Sequence, residues 1–224
     1  MTDLAMDSDG IAASFLKSLK AAPRTDEPYP HWHLKNLFPE SVAEELMALN
    51  FPLQQLDGVS GKRELHNDTR HYFDQGNAAA FPVVAATANA FGDTQTIKAI
   101  EDFFGISLHG TFLRIEYAQD IEGFWLEPHT DLGVKKLTVL IYLAANDDHS
   151  DLGTDIFNAD KSWAARMPFE HNSAMAFVPS DNTFHGFQQR PIKGVRKSLI
   201  LNYVTDEWRA REQLAFPAEP ANTH

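Results

Sequence analysis

Apolar residues recur at helical spacing through the first hundred residues of the chain. In the first such segment, Ile11, Phe15 and Leu19 fall on one stripe, and Pro23 ends the pattern. The last segment ends before Gly105, a residue type that suits a helix cap. The pattern predicts helices over residues 10–22, 39–49 and 78–104, the last in two pieces broken near 92–94, and an extended segment over 28–34.

After Gly110 the apolar residues form short runs that are separated by turn residues. Runs of this length, rich in β-branched and aromatic side chains, are typical of strands. Seven or eight of them at this spacing favour a β sandwich or jelly roll. The runs cover residues 111–117, 124–131, 136–143, 153–157, 171–178, 183–188 and 195–204.

The two patterns together predict the organisation of the chain. We expect one α+β domain, mainly β, because 224 residues are enough for one sizeable core and do not require two. Residues 1–109 form a helical support region, residues 110–204 the jelly-roll core and residues 205–224 a C-terminal tail. No internal repeat or linker interrupts this order.

Composition narrows the function classes. The formal net charge of −12 argues against sequence-independent nucleic-acid binding, which depends on Lys and Arg. The absence of cysteine excludes disulfides, iron–sulfur clusters and thiol nucleophiles, so histidines and carboxylates are the metal ligands available. The N-terminus is acidic where a signal peptide is basic, and no apolar run approaches the ~20 residues of a membrane span. We therefore expect a soluble, cytoplasmic protein, without a membrane partner.

A His-x-Asp pattern occurs three times, and its context separates the three. His129 and Asp131 lie between two strand candidates, and on an extended chain their side chains point to the same side. His66-Asn67-Asp68 has no strand-like run beside it, and His149-Ser150-Asp151 belongs to a polar cluster that is typical of a solvated hairpin loop. Only the pair at 129 and 131 is therefore a good candidate for metal binding.

Residues far along the chain supply the rest of a possible site. His185 alone is more typical of a core or edge histidine, but Arg196 and Ser198 follow it at the head of an apolar strand and share one face. A guanidinium directed into a β core needs an anion, and its planar fork suits a carboxylate. An acidic metabolite is one possible partner, and an internal salt bridge to Glu116 or Asp155 is the structural alternative.

Two histidines and one carboxylate with open positions form the facial triad of non-haem Fe(II) oxygenases. His31 and His33 also share a strand face, but no carboxylate stands beside them, which favours a structural role. The polar and aromatic segment 57–75 is either a recognition loop or a solvated surface loop.

In their order and spacing, His129-x-Asp131, His185 and Arg196-x-Ser198 resemble the Fe(II)/2-oxoglutarate-dependent dioxygenases, and more closely the prolyl-hydroxylase-like branch. The branch pattern is a tyrosine strand, a glycine, His-x-Asp, a Thr-x-x-x-Tyr-Leu strand, then His and Arg. The resemblance covers roughly residues 110–204 and implies a double-stranded β-helix core with N-terminal helices packed on one sheet. This chain departs from the branch at Leu152-Gly153-Thr154, where Gly-Gly is frequent, and at Ala144, where Asn is frequent.

The resemblance also implies roles for individual residues. Fe(II) would be bound by His129, Asp131 and His185, and the distal carboxylate of the cosubstrate 2-oxoglutarate by Arg196 and Ser198. Tyr142 and Tyr117 would contact the cosubstrate, although either could be a packing residue. Arg114 either faces the cavity or braces the strand that contains Glu116.

The resemblance implies an enzyme that uses O2 to hydroxylate a C–H bond of a small molecule or peptide, with release of succinate and CO2. The presence of Asp131 favours hydroxylation, because halogenating relatives lack this carboxylate. Substrate choice would depend on residues 62–72, on Phe124 and Trp125, and on the segment around Lys135 and Lys136, two lysines that we interpret as exposed. The alternatives are a non-catalytic, cupin-like module that binds a metal or small molecule, and a metal-independent scaffold.

Overall fold

The computed structural model describes residues 7–53, 61, 70–131, 133–145 and 149–221. Within these residues, five α-helices precede the main run of strands. Aspartates cap three of them, since Asp7, Asp74 and Asp93 each accept a hydrogen bond from a backbone N–H of the first turn. Gly105 ends the last helix with a left-handed φ of 67°. The helices are α1 (Ser8–Ala21), α2 (Glu40–Ala48), α3 (Gln75–Ala80), α4 (Pro82–Gly92) and α5 (Thr94–Phe104).

The predicted break near residues 92–94 is confirmed. Asp93 is both the C-cap of α4 and the N-cap of α5, so one residue ends one helix and begins the next. A further break, which the sequence pattern did not reveal, separates α3 from α4 at Phe81. Pro82 explains it, because proline fits the first turn of a helix and not its interior.

Eleven strands are present in the described part of the chain. All seven predicted β runs contain a strand, while β1, β3 and β8 were not predicted. The strands are β1 (Arg24–Thr25), β2 (His31–Lys35), β3 (His71–Tyr72), β4 (Phe112–Asp120), β5 (Leu126–His129), β6 (Lys135–Leu143), β7 (Asp155–Phe157), β8 (Trp163–Arg166), β9 (Ser173–Phe177), β10 (His185–Phe187) and β11 (Arg196–Val204).

The strands form two antiparallel sheets. The major sheet has the order β1-β2-β9-β6-β11-β4-β3, and the minor sheet has the order β5-β10-β7-β8. This arrangement is the predicted double-stranded β-helix, an α+β fold with its helices packed on one sheet. No helix in the described residues is long and apolar enough to cross a membrane.

Alternation along the central strands gives the major sheet two different faces. On β11, Leu199, Leu201 and Tyr203 point to the helices and belong to the larger hydrophobic core. On β6, Leu140 and Tyr142 point to the minor sheet and belong to a second core. Arg196 and Ser198 share this second face with Tyr142, because Ser198 pairs directly with Tyr142 across β11 and β6. Polar side chains are therefore directed into the space between the two sheets.

Candidate active site

The three predicted metal ligands come together where the minor sheet meets the major sheet. His185 on β10 pairs directly with His129 on β5, and their ring centroids are 4.5 Å apart. Asp131 follows two residues after His129. One ligand atom from each of the three side chains lies within 4.8 Å of the others, and among the described residues no other group of three potential ligands does so.

Both histidines are oriented by the same local hydrogen bond. Nδ1 of His129 donates to the carbonyl of Glu127 at 2.9 Å, and Nδ1 of His185 donates to the carbonyl of Thr183 at 3.0 Å. A carbonyl oxygen only accepts, so Nδ1 carries a proton, and in the neutral ring the lone pair lies on Nε2. The tautomer that binds a metal through Nε2 is therefore set, for each histidine, by the carbonyl two residues earlier in the chain.

Asp131 is held in its ionised form. Burial alone would raise its pKa, but Lys135, His185 and Thr138 outweigh burial and keep the pKa well below its usual range. Lys135 donates to Oδ1, and the hydroxyl of Thr138 donates to Oδ2 at 2.5 Å. The interpretation of Lys135 as exposed is thus wrong, because this lysine is buried against the carboxylate, whereas Lys136 is exposed as expected.

Two imidazoles and one carboxylate, with no sulfur ligand, are the donor set of a non-haem Fe(II) centre. All three side chains line one cavity, so molecules other than the protein's own side chains can reach this group. The residues present therefore fit an iron ion.

The cavity is partly open to solvent and continues from these ligands between the two sheets. Arg196 lies in its wall, between the rings of Phe169 and Phe187 at 5.1 and 4.8 Å. The cavity is lined by the three ligands, by Tyr142, Arg196 and Ser198 from the predicted site, and by Arg70, Asp120, Phe124, Leu126, Lys135, Thr138, Thr154 and Phe187.

Tyr142 is completely buried, and its hydroxyl donates to Oγ1 of Thr154 at 2.8 Å. Burial raises its pKa, although the bond to Thr154 and the charge of Arg196 oppose that shift. The phenol therefore stays protonated at neutral pH and remains a hydrogen-bond donor beside Arg196.

Of the predicted site residues, Tyr117 alone does not line the cavity. It packs in the larger core on the helix side of β4, and its hydroxyl donates to the carbonyl of Leu46 at 3.1 Å. On the same strand Ala118 and Asp120 line the cavity, since they pair with Ser198 and Arg196. Strand alternation thus directs Tyr117 away from the other site residues.

The internal salt bridge considered for Arg196 exists, but its partner is neither Glu116 nor Asp155. Nη1 of Arg196 donates to Asp120 at 2.5 Å, and Nε donates to the carbonyl of Leu152 at 2.7 Å. Asp155 instead binds Arg166 and Arg190 in the minor sheet. Sequence reasoning missed Asp120, although its even spacing from Glu116 was a signal that the two share a strand face.

Arg114, His31 and His149 do not line the cavity. Arg114 pairs with Glu116 at 2.6 Å at the far end of the inner face and does not line the cavity. Nδ1 of His31 bonds to the carbonyl of Tyr29, consistent with a structural role. His149 is buried and bonded to the carbonyl of Lys193, so its interpretation as part of a solvated loop is wrong.

Two aromatic residues that precede His129, Phe124 and Trp125, were predicted to influence substrate choice. Phe124 lines the cavity and packs against Phe187 at a centroid distance of 5.5 Å. Trp125 contacts Gly61, whose carbonyl accepts a hydrogen bond from the N–H of Glu127 on β5. Of the predicted recognition segment 57–75, residues 57–60 and 62–69 lie outside the described residues, as does the pattern at His66.

Solved structures with the same arrangement of strands identify the fold. A prolyl hydroxylase from Trichoplax adhaerens, in complex with a peptide fragment of the hypoxia-inducible-factor oxygen degradation domain, superimposes with a TM-score of 0.56 at 13% identity, over 91% of this chain and 93% of that one. The fold is that of the prolyl hydroxylases. A prolyl-4-hydroxylase from Pseudomonas putida gives a TM-score of 0.53 at 15% identity, over 87% of this chain and 94% of that one.

A third structure with this prolyl-hydroxylase fold carries the ligands that matter most here. HygX from Streptomyces hygroscopicus, with nickel, 2-oxoglutarate and hygromycin B bound, gives a TM-score of 0.52 at 16% identity, over 80% of this chain and 85% of that one. No family model matches the chain, and no curated protein matches its sequence. The similarity to these proteins therefore concerns the fold alone, and the chemistry of the site has to be inferred from its own residues.

Proposed function

We propose that the chain is an Fe(II)- and 2-oxoglutarate-dependent dioxygenase that hydroxylates a C–H bond of a small-molecule or peptide substrate. The observation that carries this proposal is the pairing of two subsites in one cavity. His129, Asp131 and His185 lie within ligand distance of one another, and Arg196 lies in the same wall with Ser198 and Tyr142. A cupin-like metal site without turnover has no need of the second subsite.

The three ligands would hold the metal from one side, where Asp131 supplies a negative charge and the histidines supply neutral nitrogens. The bound iron supplies the redox chemistry, in which 2-oxoglutarate, O2 and the substrate C–H become succinate, CO2 and an alcohol. Arg196 pairs with the distal carboxylate of the cosubstrate, and the hydroxyls of Ser198 and Tyr142 donate to it.

Other side chains shape the space around the reaction. Thr138 holds the second oxygen of Asp131, which fixes the rotation of that carboxylate. Phe124, Leu126 and Phe187 form an apolar wall that excludes water near the metal. Proteins of this fold bind molecules of different size, a peptide in the Trichoplax complex and hygromycin B in HygX, so the substrate class of this chain is tested directly.

The first test is spectroscopic. Fe(II) and 2-oxoglutarate are added together without oxygen, and we expect the weak visible absorption band of the chelated metal. His129→Ala should abolish the band, whereas His109→Ala, which changes an exposed histidine, should leave it unchanged. No band with the wild-type protein, or an equal band with His129→Ala, contradicts the proposal.

The second test is turnover. A panel of amino acids, peptides, sugars and lipids is scored by succinate formation above the background without substrate. A true substrate raises succinate and gains one oxygen atom from O2. A protein that binds Fe(II) and 2-oxoglutarate but never forms succinate, even in the uncoupled background reaction, is the cupin-like binding module instead.

A further inference from the structure

A buried aspartate bridges two arginines inside the cavity. Asp120 accepts from Nη1 of Arg70 at 2.6 Å through one oxygen and from Nη1 of Arg196 at 2.5 Å through the other. The side chains of Arg70, Asp120 and Arg196 are 4%, 2% and 8% exposed. All three line the cavity, so the bridge lies within reach of a bound molecule.

The backbone sets this bridge in place. Asp120 is the last residue of β4 and Arg196 the first of β11, and the two are directly paired. Arg70 immediately precedes β3, which pairs with the other edge of β4. Side chains that are opposite each other on neighbouring strands share a face, so the carboxylate is held between the two guanidinium groups.

Without a ligand, Arg196 is therefore already paired with a carboxylate of the protein, that of Asp120. A second carboxylate on the same guanidinium repels Asp120, because both are negative and both are removed from water. Binding of a diacid must weaken the contact between Asp120 and Arg196. When a diacid replaces Asp120 as the partner of Arg196, Asp120 still has the guanidinium of Arg70 as its cation. No buried charge is then left without a partner.

We propose that Asp120 is an internal counter-ion that competes with the distal carboxylate of the cosubstrate for Arg196. This inference rests on the proposed function and adds a consequence to it. The same competition applies to succinate, which carries an equivalent carboxylate, so Asp120 weakens binding of the product as well as of the cosubstrate. The bridge thus favours release of succinate after each reaction.

The decisive variant is Asp120→Asn, which keeps the shape and an accepting oxygen and removes the charge. Binding is measured by calorimetry with Mn(II) in place of Fe(II), for 2-oxoglutarate, for succinate and for 2-oxovalerate. The last has the keto acid but no distal carboxylate. We expect Asp120→Asn to bind 2-oxoglutarate and succinate about tenfold more tightly or better, with less than a twofold change for 2-oxovalerate.

The controls separate this effect from a general change in charge. Asp102→Asn makes the same substitution at an exposed residue of α5, beside Lys98, and should alter none of the affinities. Weaker or unchanged diacid binding by Asp120→Asn overturns the proposal, since Asp120 would then orient Arg196 and not compete for it. An equal gain for 2-oxovalerate overturns it too, because only the distal carboxylate competes.

A measurement on the wild-type protein covers the case in which Asp120→Asn does not fold. With ¹⁵N-labelled arginine, succinate should shift the side-chain signals of both Arg70 and Arg196, because Asp120 moves its contact towards Arg70. Butyrate, which has one carboxylate, serves as the control ligand. A shift of Arg196 with none of Arg70 contradicts the exchange. Failure of the wild type to bind any diacid instead refutes the proposed function, and this inference with it.

Discussion

Gly186 lies in β10 against the backbone of β5, and a single methyl group there tests the geometry of the site. A Cβ at this position would lie 2.7 Å from the carbonyl oxygen of Leu126 and 3.0 Å from that of Glu127, whereas ordinary contact begins at 3.4 Å. Both obstacles are backbone, so β10 must move away from β5 by about 0.7 Å to accept alanine. His185 is the neighbouring residue and moves with it.

A metal site tolerates displacements of only about 0.5 Å. We therefore expect Gly186→Ala to weaken metal binding about 10- to 100-fold, the range seen when support of a ligand is lost, which corresponds to about 1.4–2.8 kcal/mol. The assay is titration with Co(II), followed by its visible absorption, together with thermal melting to show that the variant folds.

Gly133→Ala is the matched control. A Cβ at Gly133 meets nothing within 4 Å, so this variant should bind Co(II) as the wild type does. If Gly186→Ala binds Co(II) within twofold of the wild type while remaining folded, the contact between β5 and β10 does not set the ligand geometry.

Three further predictions concern two buried side chains, Asp155 and Tyr142. Asp155→Asn should lower the free energy of unfolding by about 2–4 kcal/mol and the melting midpoint by about 10 °C, because it leaves Arg166 and Arg190 without their carboxylate. The control is Asp160→Asn, which makes the same substitution at an exposed residue. Burial raises the pKa of Asp155, but Arg166 and Arg190 outweigh it and hold the pKa below 3.8. The stabilisation that ionised Asp155 provides is thus present above about pH 4 and is lost as the pH falls through its folded-state pKa. The melting curves of the wild type and Asp155→Asn should therefore converge in acid. Tyr142→Phe should weaken 2-oxoglutarate binding about tenfold, the effect of a lost hydrogen bond to a charged group, without changing Co(II) affinity.

Much of the fold follows from local pattern. Strands such as β6 and β11 carry long apolar runs, and the helices carry stripes and caps, so their presence and approximate bounds could be predicted. The short strands β1 and β3 have two residues each and exist only through their partners. No sequence pattern of that length separates a strand from a loop.

Which residues face the cavity could not be predicted fully, for a similar reason. Polar and apolar residues alternate along β4, but every residue of the strand is buried, so the alternation alone does not show which of Tyr117 and Ala118 faces the cavity. The pairing register with β11 decides it, and a shift of one residue would exchange the two faces. For the same reason the contact between Asp120 and Arg196, which joins residues 76 positions apart, could not be predicted from either strand alone.

The placement of the ligands also bears on how the molecule opens. His129 and His185 belong to the minor sheet, whereas Asp131 is bound by Lys135 and Thr138 of β6 in the major sheet. A metal ion held by all three joins two layers that otherwise meet through side-chain packing. Partial unfolding of the minor sheet then costs the metal-binding energy in addition to the packing, so amide hydrogens of β5 and β10 should exchange more slowly with solvent once the ion is bound.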